Sequence, residues 1–179
     1  MPTSPSETQG VPPLVLIGAT FTASPLEDPL SFWIAELGLA HRIVVTPYQQ
    51  IFQTLISPAS PFSANRRGVN VVLFRPEDLG LHDSLPDIER HTLELGRALV
   101  AASQTSPVPF VVCLCPPSSR FLESRERQEF SERIELDVKT LLQQAPNIHV
   151  ISSGRTIARY QVTEIEDRTG ERTGHIPYH

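Results

Sequence analysis

Leu14-Val-Leu-Ile-Gly-Ala-Thr-Phe-Thr-Ala-Ser-Pro-Leu26 decides the reading of the fold. Its first half is a short continuous apolar run, and its second half is a hydroxyl-rich turn leading into a helix start. A buried strand passing into a helix through such a turn is where open α/β sheets gather their reactive groups. The counterpart near the far end is Gly174-His-Ile-Pro-Tyr178, which delivers a late histidine.

Working outward from the first strand, Leu14–Ile17, similar β-branched runs recur at Arg42–Val45, Val69–Phe74, Phe110–Leu114 and His149–Ile151. They are continuous rather than alternating, as expected of parallel strands covered on both faces. Helical segments separate them. Ser24-Pro25-Leu26-Glu27 reads as a capping box with proline at N1, Asp28-Pro29 is an alternative cap and N1, and Gly38 is a helix stop. Further helices are expected over Gln49–Ile56, Leu85–Ala102 and Phe121–Gln144, with a loop over Ser57–Arg67. Tyr160–Glu166 reads as a short strand or hairpin arm before a polar turn, Asp167–Gly174. The alternation predicts an α/β fold, a three-layer α/β/α sandwich around a parallel sheet of about five strands in the flavodoxin-like order 2-1-3-4-5. Residues 1–12 read as a disordered tail and residues 13–179 as one domain, the size expected of a single core.

Composition narrows the function classes. The chain of 179 residues is 40% hydrophobic with a formal charge of −5. Net negative charge argues against nucleic acid, whose affinity for proteins comes mainly from cation–phosphate neutralisation. No apolar run approaches the roughly 20 residues that span a bilayer, and Met1–Gly10 lacks a signal-peptide pattern, so no membrane partner and a cytoplasmic location are expected. Cys113 and Cys115 lie on one strand, too local for a useful disulfide, and read as reduced core residues. No second Cys or His pair stands at ligand spacing, so no metal is expected. Lys139 is the only lysine. Genomic base composition accounts for the preference for arginine, and the alternative is that some arginines, such as Arg66 and Arg67, hold anions.

Residues just past the carboxyl ends of the strands converge on one crevice. Here they are Thr20, Thr22 and Ser24 after strand one, Tyr48 and Gln49 after strand two, Arg75, Glu77 and Asp78 after strand three, and Ser118 and Ser119 after strand four. His175 joins them if the C-terminal segment folds back. A histidine near a hydroxyl, oriented by an acid such as Asp167, is what nucleophilic catalysis requires. Each also has a structural reading: Ser24 as a helix cap, Thr20 and Thr22 as turn formers, Asp167 as a turn residue, and Arg75 with Glu77 and Asp78 as a strand-end salt bridge.

The strings Gly18-Ala-Thr-Phe-Thr-Ala-Ser-Pro-Leu26, Phe32-Trp, Glu36-Leu-Gly-Leu39, Pro47-Tyr-Gln-Gln-Ile-Phe-Gln53, Gly68-Val-Asn-Val-Val-Leu-Phe-Arg-Pro-Glu-Asp-Leu79 and Gly174-His-Ile-Pro-Tyr178 together resemble the SGNH-hydrolase-like domain of FkbH-type proteins. The resemblance runs from about residue 13 to the end. It implies an SGNH-like fold and a place in polyketide or nonribosomal-peptide pathways. In SGNH enzymes a Gly-Asp-Ser turn follows strand one; Gly18-Ala19-Thr20 stands here. The oxyanion asparagine after strand three is replaced by Arg75-Pro76-Glu77-Asp78, where a carboxylate would repel a developing oxyanion. The late Asp-x-x-His motif is stretched, with Asp167 eight positions before His175. The aspartate motif of the HAD-type domain that accompanies such domains is absent, and relatives continue past the Gly-His-Ile-Pro-Tyr segment into a helix.

Two functions follow from the resemblance. One is acyl transfer or hydrolysis on a carrier-protein-bound intermediate, with Thr20 or Thr22 as nucleophile, His175 as base, Asp167 as its orienter and Arg75 as an anion contact; Ser24, Tyr48, Gln49, Glu77 and Asp78 would line the substrate site. No cofactor is implied beyond a phosphopantetheine-bound substrate. The other is a catalytically silent docking module for a carrier protein or synthetase domain.

Overall fold

A computed structural model describes residues 12–80, 84–159 and 164–179. Its strands are β1 (Leu14–Ala19), β2 (Arg42–Val45), β3 (Gly68–Phe74), β4 (Phe110–Leu114) and β5 (Ile148–Ile151). All four pairings are parallel and the order is β2-β1-β3-β4-β5, the flavodoxin-like order expected. The helices are α1 (Glu27–Glu36), α2 (Ile51–Ile56), α3 (Pro61–Ala64), α4 (Leu85–Thr105), α5 (Arg125–Leu142), α6 (Ser153–Arg159) and α7 (Arg168–Gly174). They lie on both sides of the sheet, as a three-layer α/β/α sandwich requires. Residues 1–11 of the expected tail and residues 160–163 of the expected hairpin arm lie outside the described residues.

The two sides are built unequally. Leu16, Val72, Phe74, Phe110, Val112 and Leu114 project into the main core, where they meet Leu95 and Leu99 of α4, Val138 and Leu142 of α5, and Phe62 of α3. Ser84 and Ser124 start α4 and α5 by accepting hydrogen bonds from Asp87 N and Arg127 N. On the other side stand α1 and the short α6, neither with a buried residue. Val15, Val69, Val71, Val111 and Cys113 are only half-buried there, whereas parallel sheets ordinarily have both faces covered.

Three local expectations need correction. Ser24 caps nothing: Ala23 holds the N-cap position without a side-chain bond, and Pro29 falls inside the first turn of α1. The Ser57–Arg67 loop contains α3, which Ser60 caps through Ser63 N. The polar turn Asp167–Gly174 is mostly helix α7; Asp167 accepts from Thr169 N and Gly170 N, supplying the start that a glycine-containing sequence lacks. Gly38 does end α1 with φ +63°.

Candidate functional site

At the carboxyl edge of β1 and β3 lies a buried ion-pair cluster centred on Arg75. The side chain is 2% exposed. Its guanidinium donates from Nε and Nη2 to Asp78 Oδ1 and from Nη2 to Glu171 Oε1 at 2.9 Å, and Nη1 stands 3.6 Å from Glu77 Oε1. The rings of Phe21 and Tyr178, packed edge-to-face on each other, each lie 5.8 Å from it, so the cation meets aromatic rings as well as carboxylates. Burial alone would drive the proton off, but hydrogen bonds to Asp78 and Glu171 hold Arg75 firmly in its charged form. Burial pushes Asp78 and Glu77 up, against the pull of Arg75. Burial acts the same way on Glu171, yet the Arg75 hydrogen bond and charge and the His175 ring prevail and hold it below the usual range.

Thr20 is tied into this cluster. Its Oγ1 donates to Asp78 Oδ2 at 2.9 Å and accepts from Arg75 N at 3.0 Å. The hydroxyl that the sequence offers as a nucleophile is therefore buried and engaged on both sides. Thr22 is engaged through its backbone: its N–H donates to the carbonyl of His175 at 2.9 Å, joining the strand-one turn to the C-terminal segment. His175 takes a left-handed conformation, φ 56°, at the C-cap of α7, turning the chain toward that contact.

The acid on His175 is Glu171. Its Oε1 lies 2.9 Å from Nδ1, one helical turn away on α7. Asp167, expected to orient the histidine, caps α7 instead. Arg75, expected to contact an anion, is already surrounded by three carboxylates. Tyr48 reaches the site by setting its ring edge-to-face with His175, centroids 5.4 Å apart, while Gln49 donates to the Tyr48 hydroxyl. Ser24 is exposed on the connection to α1. Glu77 Oε2 accepts from Ser118 N, and Glu166 accepts from Ser119 N and Oγ.

Two cavities flank the cluster. A polar cleft of about 880 Å³ runs over Arg75, Asp78, Glu171 and His175, and Arg120, Arg127, Arg168 and Arg172 line it. Among the described residues none of these four guanidiniums has an ion pair; Arg127 stacks on Phe121 and Arg168 reaches the Ser119 hydroxyl. On the thinly covered side of the sheet lies an apolar cavity of about 1010 Å³ whose lining includes Thr22. Sequence reasoning missed Glu171, which it placed in a turn, and the four cleft arginines, which come from segments far apart in the chain.

Asp78, Glu171 and His175 bring ligand atoms within 4.8 Å of one another. They suit a divalent cation poorly, because Arg75 already sits on Asp78 Oδ1 and Glu171 Oε1 while Thr20 takes Asp78 Oδ2. Of the four carboxylate oxygens only Glu171 Oε2 is without a partner among the described residues, far short of a magnesium ion's oxygen shell.

No family model and no curated protein matches the chain. Among solved structures it is similar to the N-terminal part of the protein BF1531 from Bacteroides fragilis containing phosphatase domain complexed with Mg, with a TM-score of 0.69 and 12% identity. The match covers 93% of this chain and 48% of that one, so the chain spans about half the length of that structure. At such identity the likeness establishes the fold. No helix among the described residues is long and apolar enough to cross a membrane.

Proposed function

We propose that the chain is an SGNH-hydrolase-like domain of the FkbH type in which the hydrolase centre has become a structural ion-pair cluster, and that it serves polyketide or nonribosomal-peptide assembly as a docking module. The observation that carries this is the commitment of Thr20: its hydroxyl is held by Asp78 and by the Arg75 backbone. Acyl transfer through a covalent intermediate needs a hydroxyl that donates to a base while facing the acyl carbon, and hydrogen-bond donors where the oxyanion develops. Here the buried Thr20 hydroxyl donates to Asp78, a carboxylate already held by Arg75, rather than to His175, and carboxylates stand at the strand-three end. The phosphatase domain named for BF1531 is not the basis of this reading either, since the chain covers 48% of that structure and lacks the HAD aspartate motif.

What the cleft offers instead is a mixed charged wall in which, beside the acids Glu123, Glu166 and Asp167, four arginines stand without an ion pair among the described residues. Arg120, Arg127, Arg168 and Arg172 suit a phosphopantetheine phosphate or an acidic carrier-protein surface, which electrostatic complementarity would steer into register. A second reading rests on the Glu171–His175 pair, which orients an imidazole in that cleft and would let it act as a general base on an acceptor brought by the partner.

Product formation in a reconstituted pathway separates the two. The docking role predicts that His175→Gln sustains product and keeps carrier binding within about tenfold, or about 1.4 kcal/mol. Loss of product with carrier binding intact would establish the general-base role.

A further inference from the structure

The apolar cavity is distinct from the polar cleft and has no part in the docking role. Leu73, Cys113 and Ile151 rise from the sheet into it, Phe21 and Pro29 bound it from the α1 side, and Ile157 of α6 lies opposite. Its volume, about 1010 Å³, is that of a generous small-molecule site. Half-exposed Cys113 and Ile151 stand where a parallel sheet would ordinarily be covered.

Arg155 and Arg159 also line the cavity. They stand one helical turn apart on α6, both exposed, and neither has an acidic partner among the described residues. Like charges at this spacing oppose the helix. Among the described residues of the lining, Glu164 is the one acidic side chain, and it pairs with neither arginine. Apolar walls beside two unpaired guanidiniums form the recognition pattern of an amphiphile: hydrocarbon buries against the sheet, and an anionic head takes the arginine forks. We propose that this cavity binds a medium-length acyl or alkyl chain ending in a carboxylate or phosphate, the anion resting on Arg155 and Arg159.

Dodecanoate, dodecyl phosphate and neutral dodecanol, titrated below micelle formation onto the full chain, test this. Both anions are expected to bind one-to-one, with dodecanol at least tenfold weaker, and the tighter anion identifies the head group. The double substitution Arg155→Glu with Arg159→Glu, on exposed positions, is expected to weaken anion binding at least tenfold. An independent readout in the unaltered protein is N-ethylmaleimide labelling of Cys113, which bound dodecanoate should slow severalfold. Unchanged labelling at saturating dodecanoate, equal binding of dodecanol and dodecanoate, or a dimer that protects Cys113 without ligand would each overturn the proposal.

Discussion

Arg75 is the residue on which the two halves of the site depend. It joins the end of β3 to α7 across 96 positions of sequence through Glu171, and to Thr20 through its own backbone. Removing one partner of a buried ion cluster strands the others, at about 3–5 kcal/mol. Arg75→Met should therefore lower the unfolding free energy by that amount, read from denaturant midpoints, even though methionine fills similar space. Glu171 adds a pH signature. Its folded-state pKa lies below its unfolded value, so its ionisation stabilises the fold above the unfolded carboxylate pKa of about 4.3 and that contribution is lost as the pH falls through the folded value. Glu171→Gln should accordingly destabilise most near neutrality, and its difference from the parent should vanish in acid. Equal destabilisation at pH 7 and in acid would place the loss in packing rather than in charge. At this scale the sequence announced the strand-end residues, because apolar runs reveal where strands stop. It concealed Glu171, because Arg168–Gly174 carries two glycines and two threonines and reads as a turn until Asp167 is seen to cap it.

At the scale of elements, the five strands and the long helices were legible because their apolar runs and helical periodicity are strong. The short helices α3, α6 and α7 were not, although α2 was. α3 and α7 owe their existence to caps and to what they pack against, features that no local pattern displays. The start of β3 shows a similar tertiary constraint: Gly68 has φ +118°, and an added Cβ would lie 2.1 Å from the Leu14 carbonyl oxygen. Gly68→Ala must force β1 and β3 apart at their shared end and adopt a conformation that L-residues avoid. A loss of roughly 2–3 kcal/mol is expected, with faster amide exchange in β1 and β3 than in β5. An alanine variant of unchanged stability would mean that this strand pair tolerates a different register.

For the molecule as a whole, the order of the strands explains why distant motifs meet. β1 and β3 are neighbours, so the Thr20 and Arg75 segments share one edge, and the bridge between Glu166 and Tyr178 brings the C-terminal segment over them. The features that bear on acyl transfer lie at a finer level than topology. Which hydroxyls remain free depends on the hydrogen bonds of Thr20, and the arginines of the polar cleft come from two separated regions, Arg120 with Arg127 and Arg168 with Arg172. The thin cover over one sheet face also escaped notice, since α1 reads as an ordinary helix although Phe32, Trp33 and Leu37 are exposed. The proposed docking role rests on this cleft taking an anionic partner through its arginines. Its most direct test is the affinity of a phosphopantetheine-bearing carrier protein of the same pathway, measured at low and moderate salt for the parent chain and for Arg168→Glu with Arg172→Glu. Docking through these arginines requires at least tenfold weaker binding in the double variant and a shallower salt dependence; parent-like affinity and salt response in that variant would rule it out.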